Sequence, residues 1–327
     1  MITKAFACYN LNENERRHSS SGGIYPLIAR KVLNNGGIVY AACYNDNLDV
    51  THQVIDTEHK LYASQGSKYV QSILKSTFDS LIDRLKNGEE VMFVGTPCQC
   101  AGLVSLIRET KAPRYNAFII DFVCHGVPGR SAWNAYKDSI AKRGNTLASV
   151  NMRDKTTGWT KGNYAWKEIM VNGETVVTPR RQNSYMKGML ANLYLRPSCF
   201  TCGFKGIDRC TDITLGDYWG VWDHLPEMDD NKGTSLILIH TEQGMRLFDG
   251  IKDSVKIADA NIERAIKGNL CIAEATKYTK KREEFFERLN KGEDFIKIVD
   301  DLTKISLIDK VKNQMIKTVK ITFGRLK

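Results

Sequence analysis

Two short, unbroken apolar runs, 91–94 and 117–123, bracket a stretch at 101–109 with helical spacing. Strand, helix and strand joined by a connection of this length imply parallel pairing, because parallel strands need a crossover of a dozen or more residues. The default hand of such a crossover is right. This unit commits the chain to a sheet with helices packed on it, and it fixes which edge matters. Open α/β sheets hold ligands beyond the carboxyl ends of their parallel strands. The sequence places Gly95-Thr96-Pro97-Cys98-Gln99 after the first run and Cys124-His125-Gly126 after the second.

The remaining pattern is mixed. Segments 4–9 and 38–44 read as strands, each holding a Cys-Tyr-Asn sequence, and are expected to be neighbours in one sheet. Between them 24–34 reads as a helix closed by Gly36-Gly37. Helices are also expected at 79–86, 131–143 and 184–194, and strands at 212–215 and 235–240. Alternating runs at 164–171 and 174–178 meet at Asn172-Gly173, a strong hairpin signal. From 241 onward helices are expected to dominate. The fold class expected is therefore α/β to α+β: a mixed, partly parallel sheet with flanking helices, an inserted antiparallel hairpin and a helical C-terminal portion.

Composition narrows the function classes. With 42% hydrophobic and 26% charged residues, the chain is ordinary for a soluble globular protein. No apolar run is long enough to span a bilayer, and the first eight residues lack the regions of a signal peptide. A cytoplasmic location is expected, where nine cysteines, an odd count, argue against a disulfide framework. Of the net charge of +10, residues 301–327 supply +5, from seven Lys/Arg and two Asp. That tail reads as a terminal helix with a solvated face, with contact to an acidic partner or an anionic membrane surface as the alternative. Nothing in the pattern supports nucleic-acid binding.

The cysteines are not equivalent. Cys8 and Cys43 fall inside strand segments and Cys271 between helical ones, positions suited to small buried hydrophobes. Cys100 opens a helix and is expected to point away from Cys98. Cys199-Phe200-Thr201-Cys202 differs, since two thiols two residues apart chelate one metal or cluster and Gly203 lets the backbone turn around them. A structural zinc site usually takes two such pairs, or one pair with two histidines. Here the other thiols stand singly and far off in sequence. An iron–sulfur cluster is therefore preferred, with zinc and unligated thiols as alternatives. Cys210 rivals the others for one ligand position. His125 is either a ligand or a loop hydrogen-bonder.

Two further segments carry chemistry. Ser19-Ser20-Ser21-Gly22-Gly23 opens a helix, where free amides and the helix dipole favour a phosphate; capping by the Ser21 side chain is an equal alternative. Gly66-Ser67-Lys68 is a weaker example of the same type, and Arg180-Arg181 reads as exposed. Residues 212–220 read as a strand ending in a glycine-hinged aromatic loop. There Asp217 either orients a flat ring or caps a turn beside a core Trp.

Taken in order, Ser20-x-Gly22-Gly23, Gly95-Thr96-Pro97-Cys98-Gln99, Cys124-His125-Gly126, Leu195-Arg196-Pro197-Ser198-Cys199-x-x-Cys202 and Asp212-Ile213…Gly216-Asp217-x-Trp219-Gly220 resemble the beta-subunit family of coenzyme F420 hydrogenases and dehydrogenases, over about residues 15–240. The resemblance implies an oxidoreductase with FAD beside a [4Fe-4S] cluster. Such a protein moves electrons between a hydride carrier or organic substrate and a one-electron partner. It implies Cys98, Cys124, Cys199 and Cys202 as cluster ligands, with Cys210 the alternative for one of them. Ser20, Ser21, Gly22 and Gly23 would meet the flavin diphosphate, and Gly95, Thr96 and Gln99 its ring. His125 and Asp217 are the candidate catalytic groups. The implied partner is a ferredoxin-like or hydrogenase/dehydrogenase-type subunit. On this reading 1–270 forms the flavin/iron–sulfur domain and 271–327 a helical, basic extension. Many members begin with a ferredoxin-like run of Cys-x-x-Cys, whereas here Cys8 is the only cysteine before Cys43. The short form is similar to bacterial relatives associated with polysaccharide biosynthesis. The rival readings are a zinc-stabilised interaction module and a cofactor-free transferase of a polysaccharide pathway.

Overall fold

A computed structural model describes residues 4–304, whose strands form two sheets. In chain order the strands are β1 (Lys4–Asn10), β2 (Ile38–Tyr44), β3 (Val50–Ile55), β4 (Val91–Gly95), β5 (Ala117–Phe122), β6 (Leu147–Asp154), β7 (Ala165–Met170), β8 (Thr175–Pro179), β9 (Ile213–Asp217), β10 (Ser235–Ile239) and β11 (Val255–Asp259). The large sheet runs β11-β1-β10-β9-β5-β4-β2-β3 and the small one β6-β7-β8. β2, β4, β5 and β9 are mutually parallel; the other pairings are antiparallel. The fold is thus the mixed, partly parallel sheet with an inserted antiparallel element that the sequence pattern implies.

The parallel centre forms because its strands are apolar on both faces and helices cover both. The helix Pro97–Thr110 starts with Pro in its first turn and ends at Lys111 in a left-handed conformation. It buries Cys100, Leu103 and Ile107 against Val91, Phe93 and Ile119. The helix Ile24–Asn34 places Ile24, Ile28, Ala29 and Val32 at helical spacing against Val39, Met92 and Ile120. Register then aligns the functional edge. Gly95 pairs with Asp121 and Phe122 with Leu215, so the carboxyl ends of β4, β5 and β9 lie side by side.

Several expectations need correction. β1 and β2 share a sheet but are not neighbours: β10, β9, β5 and β4 lie between them. The shared Cys-Tyr-Asn sequence carried no pairing information, because β1 is flanked by β10 and β11 from the far half of the chain. β3, β6 and β11 were not anticipated. β3 (VTHQVI) and β11 (VKIAD) are polar edge strands, and β6 carries register shifts that break its alternation. The segment 184–194 is helical only over Ser184–Leu190. The hairpin at Asn172-Gly173 is present, with Gly173 at φ 87 and the Asn172 side chain accepting from the Glu174 amide.

A second core lies under the small sheet. Trp133, Tyr136, Trp166, Tyr185 and Tyr194 form a buried aromatic cluster. The helices Lys281–Asn290 and Phe295–Thr303, expected as part of an extension, complete it with Phe285, Phe295, Ile298 and Val299. Most of the basic tail falls at 305–327, outside the described residues. Phe295 packs on Tyr136, Tyr185 and Tyr194 at centroid distances of 5.6, 6.0 and 5.6 Å. Truncating it to Ala is expected to cost about 3–5 kcal/mol, read by urea unfolding. A change below about 1 kcal/mol would show that these helices add little to the core.

Candidate active site

One cavity of about 600 Å³ runs along the edge that the register creates. Ala41 and Ala42 of β2, Val94 and Gly95 of β4, Asp121 of β5 and Gly216 and Asp217 of β9 line one side. Loops at 19–23 and 64–74, with Arg153 of β6, close the other.

At one end sits the serine–glycine loop. Ser21 does not cap the helix; its hydroxyl donates to the Thr234 carbonyl at 3.0 Å. The N-cap is Gly23, at φ 78, with no side-chain hydrogen bond to the first turn. The helix therefore presents its first amides without a side-chain cap, the arrangement that receives anions. Ser20 accepts from the amide and hydroxyl of Ser67 at 2.6 and 2.8 Å, joining the two loops that were flagged separately in sequence. Gly22 lies behind the loop; a Cβ there would stand 2.4 Å from the Cys8 carbonyl and 2.8 Å from the Ser235 nitrogen. Lys68 lines this end and donates to the carbonyls of Ser64, Gln65 and Gly66. Burial pushes its pKa down to about 8, with Cys43 acting slightly the other way.

Gly95, Thr96 and Gln99 line the middle. A capping box between Thr96 and Gln99 closes the Pro97–Thr110 helix on itself. Gln99 also donates to Ser72, whose hydroxyl meets His52 Nδ1 at 2.8 Å, while His52 Nε2 donates to the Val94 carbonyl. Burial holds His52 at about 4, so the ring is neutral and its tautomer fixed. His52 and Ser72 were not flagged in sequence, where neither stands in a recognisable motif.

The thiols gather beyond the same edge. Cys124 lines the cavity; burial pushes its thiol up to about 12, Lys205 pulls it down, and Cys199, Cys98 and Cys202 each push it up again. Cys199 is raised by burial and by Cys202 and Cys98, and its sulfur accepts from the Val127 amide at 3.3 Å. Cys210 stands apart: after burial, the charges that act most on it are those of Asp121, Arg114 and Arg209. Cys100 is buried and its thiol donates to the Ile120 carbonyl, away from the group. Among the described residues, no three His, Cys, Asp or Glu side chains converge closely enough to hold a single metal ion.

The two candidate catalytic groups are both engaged. His125 Nε2 donates to Asn192 Oδ1 at 2.8 Å, and Nδ1 meets the Cys271 thiol at 3.4 Å. Burial lowers its pKa, and Lys205 adds to that. Asp217 receives a bidentate pair from Arg153 at 2.7 and 2.9 Å. Arg153 is 5% exposed, and it also donates to the Ser20 carbonyl and lies over the Tyr164 ring at 4.1 Å. Sequence reading missed Arg153 because β6 was not recognised as a strand. Arg130 and Arg196, also on the lining, stood in no motif that singled out their side chains.

Comparison with known proteins bears on the family and the fold. The family of the C-terminal part of the coenzyme F420 hydrogenase/dehydrogenase beta subunit matches over residues 88–265. A solved chain of the F420-reducing [NiFe] hydrogenase complex from Methanosarcina barkeri has a similar fold. It superposes with a TM-score of 0.56 at 16% identity, covering 88% of this chain and 93% of that one. A search of the curated proteins found no match.

Two outcomes follow from these contacts. Arg153→Met leaves Asp217, itself only 15% exposed, without its cation, and is expected to cost about 3 kcal/mol in urea unfolding. An unchanged midpoint would mean that solvent replaces the pair. Lys68 is cationic below about 8 and neutral above it, so anion affinity at this end should fall as pH rises through that value. Calorimetry with sulfate between about pH 7 and pH 9 reads this. Lys68→Met should flatten the profile, and a slope that survives the substitution would assign it to another group.

Proposed function

The chain belongs to the coenzyme F420 hydrogenase/dehydrogenase beta-subunit family and is a redox protein of that kind, and we propose that it is an oxidoreductase that holds FAD in the cavity and a [4Fe-4S] cluster on the adjoining thiols. One observation carries this reading. Cys124, on which the charges of Cys98, Cys199 and Cys202 act, lines a cavity that also takes in a helix start with Gly23 as its N-cap.

The residues present suit both groups. Gly23 and the first amides of the Ile24–Asn34 helix, with Lys68, would hold the flavin diphosphate. Gly95, Thr96 and Gln99 would wall the ring; the hydrogen bonds through Ser72 and His52 fix the Gln99 amide in place. Cys98, Cys124, Cys199 and Cys202 would supply the cluster ligands. A thiol held as high as Cys124 keeps its proton at neutral pH unless a metal takes the proton's place. Lys205, which donates to the carbonyls of Cys124 and Cys271, eases that deprotonation. One Cys-x-x-Cys pair with the other thiols single and far off in sequence suits a multinuclear cluster better than structural zinc. Bound flavin would supply the exchange between hydride and single-electron chemistry. His125 and Asp217 have their polar atoms engaged already. Both serve in this reading to fix their loops, and Asp217 does so through Arg153.

The similar solved chain comes from a hydrogenase complex, and a protein partner that exchanges single electrons is part of this proposal. No helix among the described residues is long and apolar enough to cross a membrane. Anaerobic purification followed by iron, sulfide and flavin assay tests the reading, with all three expected. Cys124→Ser should lower the iron content and Cys210→Ser leave it unchanged; the reverse result would make Cys210 the ligand. Protein that takes up neither iron nor flavin after anaerobic reconstitution would overturn the proposal. Stoichiometric zinc without visible absorption would select an interaction module instead.

A further inference from the structure

Val94, His52, Ser72, Gln99 and Thr96, all on the cavity lining, form one hydrogen-bonded chain whose direction is fixed at both ends. At one end the Val94 carbonyl can only accept, so His52 Nε2, 3.0 Å away, carries the ring's proton. Nδ1 is then an acceptor and takes the Ser72 hydroxyl proton at 2.8 Å. At the other end the Thr96 amide can only donate. The Gln99 atom 3.0 Å from it is therefore the side-chain oxygen, which the Thr96 hydroxyl also reaches at 3.0 Å. That turns the Gln99 nitrogen toward Ser72, to which it donates at 3.0 Å. The two ends agree on Ser72, which accepts from Gln99 and donates to His52. Reversing the imidazole tautomer would set two acceptors face to face at Val94, and turning the Gln99 amide over would set two donors face to face at Thr96.

The surrounding backbone holds the chain in register. The His52 amide donates to the Ile73 carbonyl at 3.0 Å and the Ile73 amide to the Val50 carbonyl at 2.9 Å, which lays the segment carrying Ser72 against β3. The His52 ring stacks on Phe93, with centroids 5.0 Å apart and 12° between the planes. Gly95 leaves the Gln99 amide its space: a Cβ there would stand 2.6 Å from the Phe93 ring and 3.1 Å from Gln99 Oε1. One hydrogen of the chain is left over. Both His52 nitrogens are engaged and Gln99 Oε1 has two donors, but the Gln99 nitrogen gives Ser72 one of its two protons. Among the described residues the second has no partner. Gln99 is half-buried and borders the cavity, so the wall there offers a donor that cannot be exchanged for an acceptor.

We propose that Gln99 is a specificity-determining donor, which selects a flat ring that presents a carbonyl oxygen or an unprotonated ring nitrogen at its edge, and that His52 is the positioning residue that keeps it a donor. The proposal rests on the flavin reading for the ring, and it deepens that reading by naming the edge that Gln99 meets, an edge of acceptors. A free glutamine amide would turn to accept from a ring N–H. This one stays as it is, because turning would forfeit its bonds to Thr96 and Ser72 together. The same donor tunes what it holds. A ring that gains electrons gains negative charge on its edge acceptors, and a donor there bonds the reduced ring more strongly than the oxidised one. Gln99 therefore raises the reduction potential of the ring beside it.

The direction of the chain is read without any ligand, by long-range proton–nitrogen NMR of histidine-labelled protein. His52 is expected to be neutral and protonated at Nε2 from about pH 7 down to about pH 5.5. A proton at Nδ1, or a cationic ring over that range, overturns the proposal. The donor is read by FAD titration and by the potential of the bound flavin. Gln99→Met removes the donor without adding charge; Gln99→Glu keeps the capping box, which accepts either residue, and replaces the donor by an acceptor. Each is expected to weaken FAD about tenfold and to move its potential to more negative values. His52→Phe keeps the stack on Phe93 and should move the potential the same way by less, with no further effect in the Gln99→Met background. Thermal unfolding identifies the variants that are folded, and either Gln99 variant suffices. An unchanged potential in a folded Gln99 variant sinks the donor role, and a His52→Phe shift that persists beside Gln99→Met sinks the positioning role. Should the protein hold no FAD, the flavin reading fails by itself. Lumiflavin, the ring without the diphosphate, then replaces FAD in the titration: binding weakened about tenfold in Gln99→Glu keeps the proposal, and equal binding or none rejects it.

Discussion

The ion pair between Arg153 and Asp217 holds the site together. Arg153 comes from the small sheet and Asp217 from the carboxyl end of β9 in the large one, so the pair is a tie between two layers. A guanidinium that is 5% exposed needs partners, and here a carboxylate, the Ser20 carbonyl and the Tyr69 hydroxyl engage both of its terminal nitrogens, while Nε has none. Each of those partners lies on the cavity. Lys155, just past the end of β6, repeats the device by donating to the carbonyls of Arg16 and Ser21. With the carbonyls of the serine–glycine loop held by cations from behind, that loop has one conformation in which to meet a ligand.

The three helices that begin at the cavity divide the labour. The one at Pro97–Thr110 closes its own first turn through Thr96 and Gln99. Those at Ile24–Asn34 and Arg130–Ala141 begin at glycines without side-chain caps and stand near basic side chains. The first turn at Thr96 is thus internally satisfied, while the other two helix starts keep amides without a side-chain partner.

Much of this was legible in the sequence, and for definable reasons. The β4–helix–β5 unit was readable because its strands are continuous apolar runs, and it located the edge where Cys98 and Cys124 stand. The loop at 19–23 was readable from its glycines, although Ser21 turned out to bond Thr234 and to leave the cap to Gly23. What could not be read depends on partners far along the chain. Arg153 has no local signature, since its meaning comes from Asp217, 64 residues away. His52 sits in a polar edge strand and gains its role only from Ser72 and Gln99. β1 has a clear strand pattern, yet nothing in it announces that β10 and β11 will flank it.

That last pairing has a consequence for how the protein is made. The first strand must wait for residues 235–259 before it has neighbours, and the aromatic core around Trp133 must wait for Phe285 and Phe295. Contacts of such long sequence separation form late and slowly, and unpaired edges stay exposed meanwhile. During synthesis the thiol loops and the serine–glycine loop would emerge well before the layers that hold them. A chain released early would carry those motifs but have no settled cavity around them, so assembly of the site is coupled to completion of nearly the whole described chain.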